Sequence, residues 1–190
     1  MSFSSEAKPR LVELISQLSV VHGKVILSSG KEANYYIDLR RSSLHHEAGP
    51  LIGRVMLDLI DFANLGQIDA VGGLTMGADP VATAMLHQAA QRGRVLDAFV
   101  VRKQAKQHGM ARQVEGPDIS GKNVVILEDT STTGASPLTA AEAAEAAGAN
   151  VLAIATVVDR NTGAKEAIES KGYRYYSAIS LGDLGLSNEV

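Results

Sequence analysis

The chain has 190 residues, 45% hydrophobic and 21% charged, enough for one domain with a sizeable core. A net charge of −3 argues against a bulk nucleic-acid binder, and the absence of cysteine excludes disulfides and thiol catalysis. No apolar run approaches the roughly 20 residues that span a membrane, and the acids within the N-terminal apolar pattern suit an amphipathic helix and not a signal peptide, so a cytoplasmic address is expected.

Pro9 to Leu18 is expected to be a helix, with Leu11, Leu14, Ile15 and Leu18 on one face. Val20 to Leu27 and Tyr35 to Leu39 read as short strands around a polar loop. Pro50 to Phe62 is helical by the spacing of Leu51, Val55, Leu59 and Phe62. Ala70 to Leu74 reads as a buried strand, with Asp79-Pro80 capping a helix that runs to Gln91. Leu96 to Val101 is a strand ending at Arg102-Lys103, and Gln104 to Ser120 is polar and reads as a long loop. Val124 to Leu127 suits a strand buried on both faces. Ser136 is the expected N-cap and Pro137 the first residue of an alanine-rich helix that Gly148 stops. Val151 to Val158, Ala164 to Gly172 and Tyr173 to Ile179 follow as strand, helix and strand. The alternation predicts an α/β fold, a mainly parallel sheet flanked by helices, in one domain over residues 1–190. About the first 45 residues fall outside the alternation and are expected to form a small separate lobe.

Chemistry concentrates at strand ends. In VVILEDTSTTGAS, from Val124 to Ser136, an apolar strand runs into Glu128 and Asp129, then a turn of Thr, Ser and Gly, then a helix start. Free amides, hydroxyls and the positive helix end make such a loop an anion cradle. The two acids repel a phosphate but suit the hydroxyls of a sugar beside it, or a cation. Each residue is also explained singly by turn and cap chemistry. Arg102, Lys103, Lys106, His108 and Arg112 place up to five cations in eleven residues, suited to a polyanion, on a loop that Gly109 leaves free to close. Gly72 to Pro80 is a second strand end, glycine turn and helix start. Arg160 stands just past a strand end, where a guanidinium can pair with a substrate carboxylate or simply with a surface acid. Two decoys are set aside. Gly116 to Lys122 mimics a phosphate loop but precedes a strand, and His45-His46 lacks metal-ligand spacing.

Together, EDTSTTGAS, R-K-x-x-K-x-H-G, V-D-R-x-x-G and S-S-G-x-x-x-x-Y-Y resemble the type I phosphoribosyltransferases, and among them the orotate-using members of actinobacteria. The resemblance implies a Rossmann-like fold with an N-terminal hood lobe. It also implies Mg²⁺-dependent transfer of ribose 5-phosphate from phosphoribosyl pyrophosphate (PRPP) to orotate, in pyrimidine biosynthesis. On it, PRPP is held by Arg102, Lys103, Lys106, His108, Glu128, Asp129, Thr130, Ser131, Thr132, Thr133, Gly134, Ala135 and Ser136. Lys103, Lys106, His108, Glu128 and Asp129 are the catalytic candidates, and Lys106 and His108 both remain candidates for protonating pyrophosphate. Thr132 and Arg160 are implied at orotate; Tyr35 and Tyr36 either close over the base or are alternating strand residues of the core. Mg²⁺ is implied to be held mainly by PRPP, with Asp129 the candidate protein ligand. The Arg102 to Gly109 loop is implied to be shared across a homodimer. Lysines usual in the family are replaced by Ser28 and Met76. A purine transferase of the same fold, or a PRPP-binding regulator without turnover, remain as alternatives.

Overall fold

A computed structural model describes residues 3–26, 32–103 and 113–187. Its centre is a six-stranded sheet in the order β5-β4-β3-β6-β7-β8, built from β3 (Ala70–Leu74), β4 (Asp97–Val101), β5 (Val114–Glu115), β6 (Asn123–Ser131), β7 (Asn150–Asp159) and β8 (Tyr175–Ser180). All neighbours are parallel except β5, which returns antiparallel along β4 with Val101 opposite Val114. The region expected to be a long irregular loop therefore includes the return strand of a hairpin.

The helices are α1 (Lys8–Leu18), α2 (Arg40–Ser43), α3 (Ala48–Phe62), α4 (Ala78–Gln91), α5 (Ala135–Ala146) and α6 (Ala164–Ser170). Alternation along β6 shows why its apolar run is unbroken. Val125 and Leu127 pack with α1, α3 and α4, whereas Val124 and Ile126 pack with α5 and α6 on the other face. All four are fully buried, each worth about 1.5–3 kcal/mol of hydrophobic burial. The chain winds outward from β3 to β4 and then from β6 through β7 to β8. The winding direction thus reverses between β3 and β6, where open α/β sheets bind ligands.

Gly72 and Gly73 lie inside β3, which has the bounds expected for the strand Ala70 to Leu74. Their need for glycine is steric. A Cβ on Gly72 would lie 2.2 Å from the Phe99 carbonyl oxygen, and one on Gly73 2.2 Å from that of Leu127.

β1 (Val20–Ile26) and β2 (Glu32–Ile37) form a separate antiparallel pair. β2 starts and ends earlier than its composition suggests, and Leu39 leads directly into the short α2. Buried Tyr35, Ile37 and Leu39 join the core that also holds α1 and α3. His45 has a structural role at the start of α3: its Nδ1 accepts long hydrogen bonds from the amides of Glu47 (3.3 Å) and Ala48 (3.4 Å).

Candidate functional site

The carboxyl ends of β3, β6 and β7 converge at the reversal point. β6 continues through Glu128, Asp129, Thr130 and Ser131, so the acids belong to the strand and not to a loop beyond it. The helix begins at Ala135, with Gly134 in the cap position at φ +79°, a conformation that favours glycine. Ser136 is therefore inside the helix, not its cap. No side chain caps α5, which leaves its first-turn amides to bind an anion. Thr132, Thr133, Ala135 and Ser136 are exposed around this turn, whereas Ser131 is buried.

Glu128 is only 7% exposed. Burial, and then the adjacent Asp129 carboxyl, push its pKa up to about 9, so Glu128 is a neutral acid at pH 7. It can therefore donate as well as accept a hydrogen bond. Its Oε1 accepts from the Asp129 amide at 3.2 Å, and Asp129 Oδ1 accepts from the Thr130 amide at 2.7 Å. Across the gap lies the turn between β3 and α4. A Cβ on Gly77 would stand 2.7 Å from Asp129 Oδ1 and 3.0 Å from Glu128 Oε1, so a larger residue there would force the acid side chains or the turn to give way. In the same turn Thr75 Oγ1 donates to Asp79 Oδ2 at 2.7 Å, while the other Asp79 oxygen is buried without a partner. Asp79 thus binds a threonine hydroxyl and does not occupy the cap position, which is Gly77. Met76, at the place of the family's lysine, is 65% exposed.

Arg102 and Lys103 leave β4 at the base of the hairpin. The Arg102 amide donates to the Gln113 carbonyl at 2.9 Å, and Gln113 Nε2 donates back to the Arg102 carbonyl at 3.0 Å. The Arg102 guanidinium stands 3.5 Å from Glu115, a half-exposed pair across the hairpin, and such pairs contribute little. Lys103 is exposed. Lys106, His108, Gly109 and Arg112 lie outside the described residues, as do Ser28, Ser29, Gly30 and Lys31.

Arg160 follows β7 directly. Its amide donates to the Ser131 carbonyl at 3.1 Å, and Thr162 Oγ1 donates to the Thr132 carbonyl at 2.7 Å. These bonds fasten the β7–α6 loop to the β6–α5 loop and bring Thr132 and Arg160 into one corner. Arg160 is 9% exposed, its Nε is unpartnered, and among the described residues no carboxylate pairs with it. Its guanidinium carbon stands 5.9 Å from the centre of the Tyr35 ring. A cavity of about 270 Å³ lies at the ends of β7 and β8, lined in part by Asp159, Asn161, Ser177 and Leu186.

The two tyrosines divide. Tyr36 is 37% exposed and Tyr35 7%, because alternate strand residues face opposite sides. Sequence reasoning found the Gly72 to Pro80 turn but missed the approach of Gly77 to the two acids and the Thr75–Asp79 bond. It also missed Arg40, whose guanidinium is held 2.9 Å from Asp38. Hydrogen bonding to Asp38 raises the Arg40 pKa above its ordinary value, with smaller contributions from Tyr36 and Asp129. The Asp-Leu-Arg-Arg run just after Tyr36 was the available signal.

The phosphoribosyl transferase domain family model matches residues 44–175. The chain is 60% identical over 183 residues to the orotate phosphoribosyltransferase of Streptomyces coelicolor, covering 96% of this chain and 99% of that one. Identity to the Corynebacterium glutamicum enzyme of the same name is 55% over 187 residues, 98% of both chains. The crystal structure of Mycobacterium tuberculosis orotate phosphoribosyltransferase in complex with PRPP matches with a TM-score of 0.80 at 50% identity, covering 95% of this chain and 99% of that one.

Proposed function

We propose a division of labour at this site that starts from one fact: the chain belongs to the phosphoribosyl transferase domain family, and within it to the orotate phosphoribosyltransferases. The enzyme transfers ribose 5-phosphate from PRPP to orotate, giving orotidine 5′-monophosphate and pyrophosphate. The C1′–oxygen bond to pyrophosphate breaks and its electron pair leaves with pyrophosphate. Orotate N1 bonds to C1′ and its proton is released.

In our reading the turn from Thr130 to Ser136 cradles the 5′-phosphate with the free amides of α5. Asp129 accepts from the ribose hydroxyls, and neutral Glu128 donates to or accepts from them. The turn from Thr75 to Gly77 lies against these acids and supplies backbone for the pyrophosphate. Lys103, with Arg102, Lys106 and His108, offsets the charge gathering on the leaving group. Thr132 and Arg160 hold orotate.

The Asp129 carboxylate beside Gly77 is a hard oxygen ligand that fits Mg²⁺ and would hold it, the substrate's phosphates supplying most other ligands. When bound, Mg²⁺ neutralises charge on the pyrophosphate. We place the enzyme in the cytoplasm as a homodimer whose hairpin tips serve neighbouring sites. Among the described residues no helix is long and apolar enough to cross a membrane.

The observation that carries the choice of base is Arg160, a nearly buried guanidinium with no carboxylate among the described residues to neutralise it. Leaving such a charge unpaired is costly, and the carboxylate of orotate is the matching anion, which purines lack. The test follows orotate absorbance with PRPP and Mg²⁺. Orotate should be consumed and adenine and hypoxanthine left alone; consumption of a purine instead would overturn the reading. Arg160→Ala should raise KM for orotate by more than about tenfold, the scale of a charge-assisted hydrogen bond, while KM for PRPP changes less than about twofold.

A further inference from the structure

Arg160 needs more than a position in the chain to work. Its backbone is pinned through its amide to Ser131, but its Nε makes no bond that would set the plane of the guanidinium. The Tyr35 ring is the aromatic group that faces it, 5.9 Å from ring centre to guanidinium carbon. That spacing is within the range of a cation–π contact, and burial of both groups strengthens it. The ring is itself held. Tyr35 lies on β2 of the small two-stranded sheet, and its hydroxyl donates to the Ser187 carbonyl at 3.2 Å, bridging 152 residues of sequence. Three separate parts of the chain thus meet behind the guanidinium: the small sheet, the end of β7 and the C-terminal segment.

We infer that Tyr35 is a positioning residue for Arg160, its ring face orienting the guanidinium toward the substrate carboxylate and the Ser187 carbonyl locking the ring in place. This rests on the reading of Arg160 as the orotate-binding group. It reassigns Tyr35 from a lid over the base to a support behind the arginine. The role of lid passes to the more exposed Tyr36, next to it on the opposite face of the strand.

The experiment is a double-mutant cycle on the full chain, reading KM for orotate and for PRPP separately. Tyr35→Leu should raise KM for orotate about tenfold with KM for PRPP within about twofold, while Tyr35→Phe, which keeps the ring and loses the hydroxyl, should stay within about threefold. In an Arg160→Ala background Tyr35→Leu should add less than about twofold. A full tenfold effect in that background would mean that Tyr35 touches the base directly, and the inference would fall. It would fall equally if both KM values rose together, since that would mean general damage to the fold. Should Tyr35→Leu melt below the assay temperature, Tyr35→Met fills similar space without a ring face and carries the same expectation. If Arg160→Ala alone leaves KM for orotate unchanged, it is the reading of Arg160 that fails, an outcome distinct from failure at Tyr35.

Discussion

At the scale of single residues, Glu128 shows how burial changes the chemistry a sequence suggests. Side by side in the sequence, Glu128 and Asp129 read as two equivalent acceptors. In the fold Glu128 is sealed within β6 and its pKa stands near 9, against 4.5 for an ordinary glutamate. A group whose folded pKa is raised holds its proton more tightly when folded. Its contribution is complete below pH 4.5 and declines between 4.5 and 9 as the unfolded chain ionises and the folded one does not; above 9 it is lost. The ceiling on that decline is about 1.4 kcal/mol per pH unit. Glu128→Gln removes the titration and keeps the shape. The melting temperature of the variant, relative to wild type, should therefore climb as pH rises from 5 to 9. Parallel curves across that range would show that Glu128 ionises freely in the folded protein.

At the scale of elements, the turn between β3 and α4 matters through what it approaches. The φ of Gly77 is −69°, which any residue can adopt, so its need for glycine comes from the carboxyl oxygens 2.7–3.0 Å from where a Cβ would stand. Gly77→Ala must displace either the acid side chains or the turn. It should raise KM for PRPP by about tenfold while moving the melting temperature only a few degrees, because the strain falls on the site and not on the core. An unchanged KM for PRPP would separate this turn from the substrate. The parallel strands were legible in the sequence because a strand covered on both faces is an unbroken apolar run. β5 was not, since Val114 and Glu115 are too few to show a period. The polar end of β6 was read as loop because site residues break the binary pattern that marks a strand. Gly72 and Gly73 were placed in the strand, but their steric role was not legible, because sequence does not separate a glycine needed for space from one needed for backbone angle. At the site, the acids, the Thr132 turn and Arg160 were found at strand ends. The split between Tyr35 and Tyr36 was not, because the two are adjacent in a strand and only the fold shows which side each faces.

At the scale of the whole molecule, the sheet places the Thr130 to Ser136 turn, the acids and Arg160 at the carboxyl ends of β6 and β7, while Arg102 and Lys103 leave β4 on the other side of β3. Among the described residues, Arg102 at the base of the β4–β5 hairpin is tied to its own chain through Gln113 and Glu115. In the proposed homodimer the Arg102 to Gly109 segment would serve the neighbouring subunit's site. This arrangement has a kinetic signature. Lys103→Ala and Arg160→Ala should each lower turnover by more than about tenfold at modest orotate concentration. Mixed and allowed to exchange subunits, half of the dimers carry one of each chain. If the hairpin serves its neighbour, each such dimer has one site with both lesions and one with neither, and the mixture should recover about a quarter of wild-type activity. If each hairpin serves its own subunit, every site keeps one lesion and mixing restores nothing. The recovered fraction, measured against the two variants assayed alone, decides between a shared site and a self-contained one.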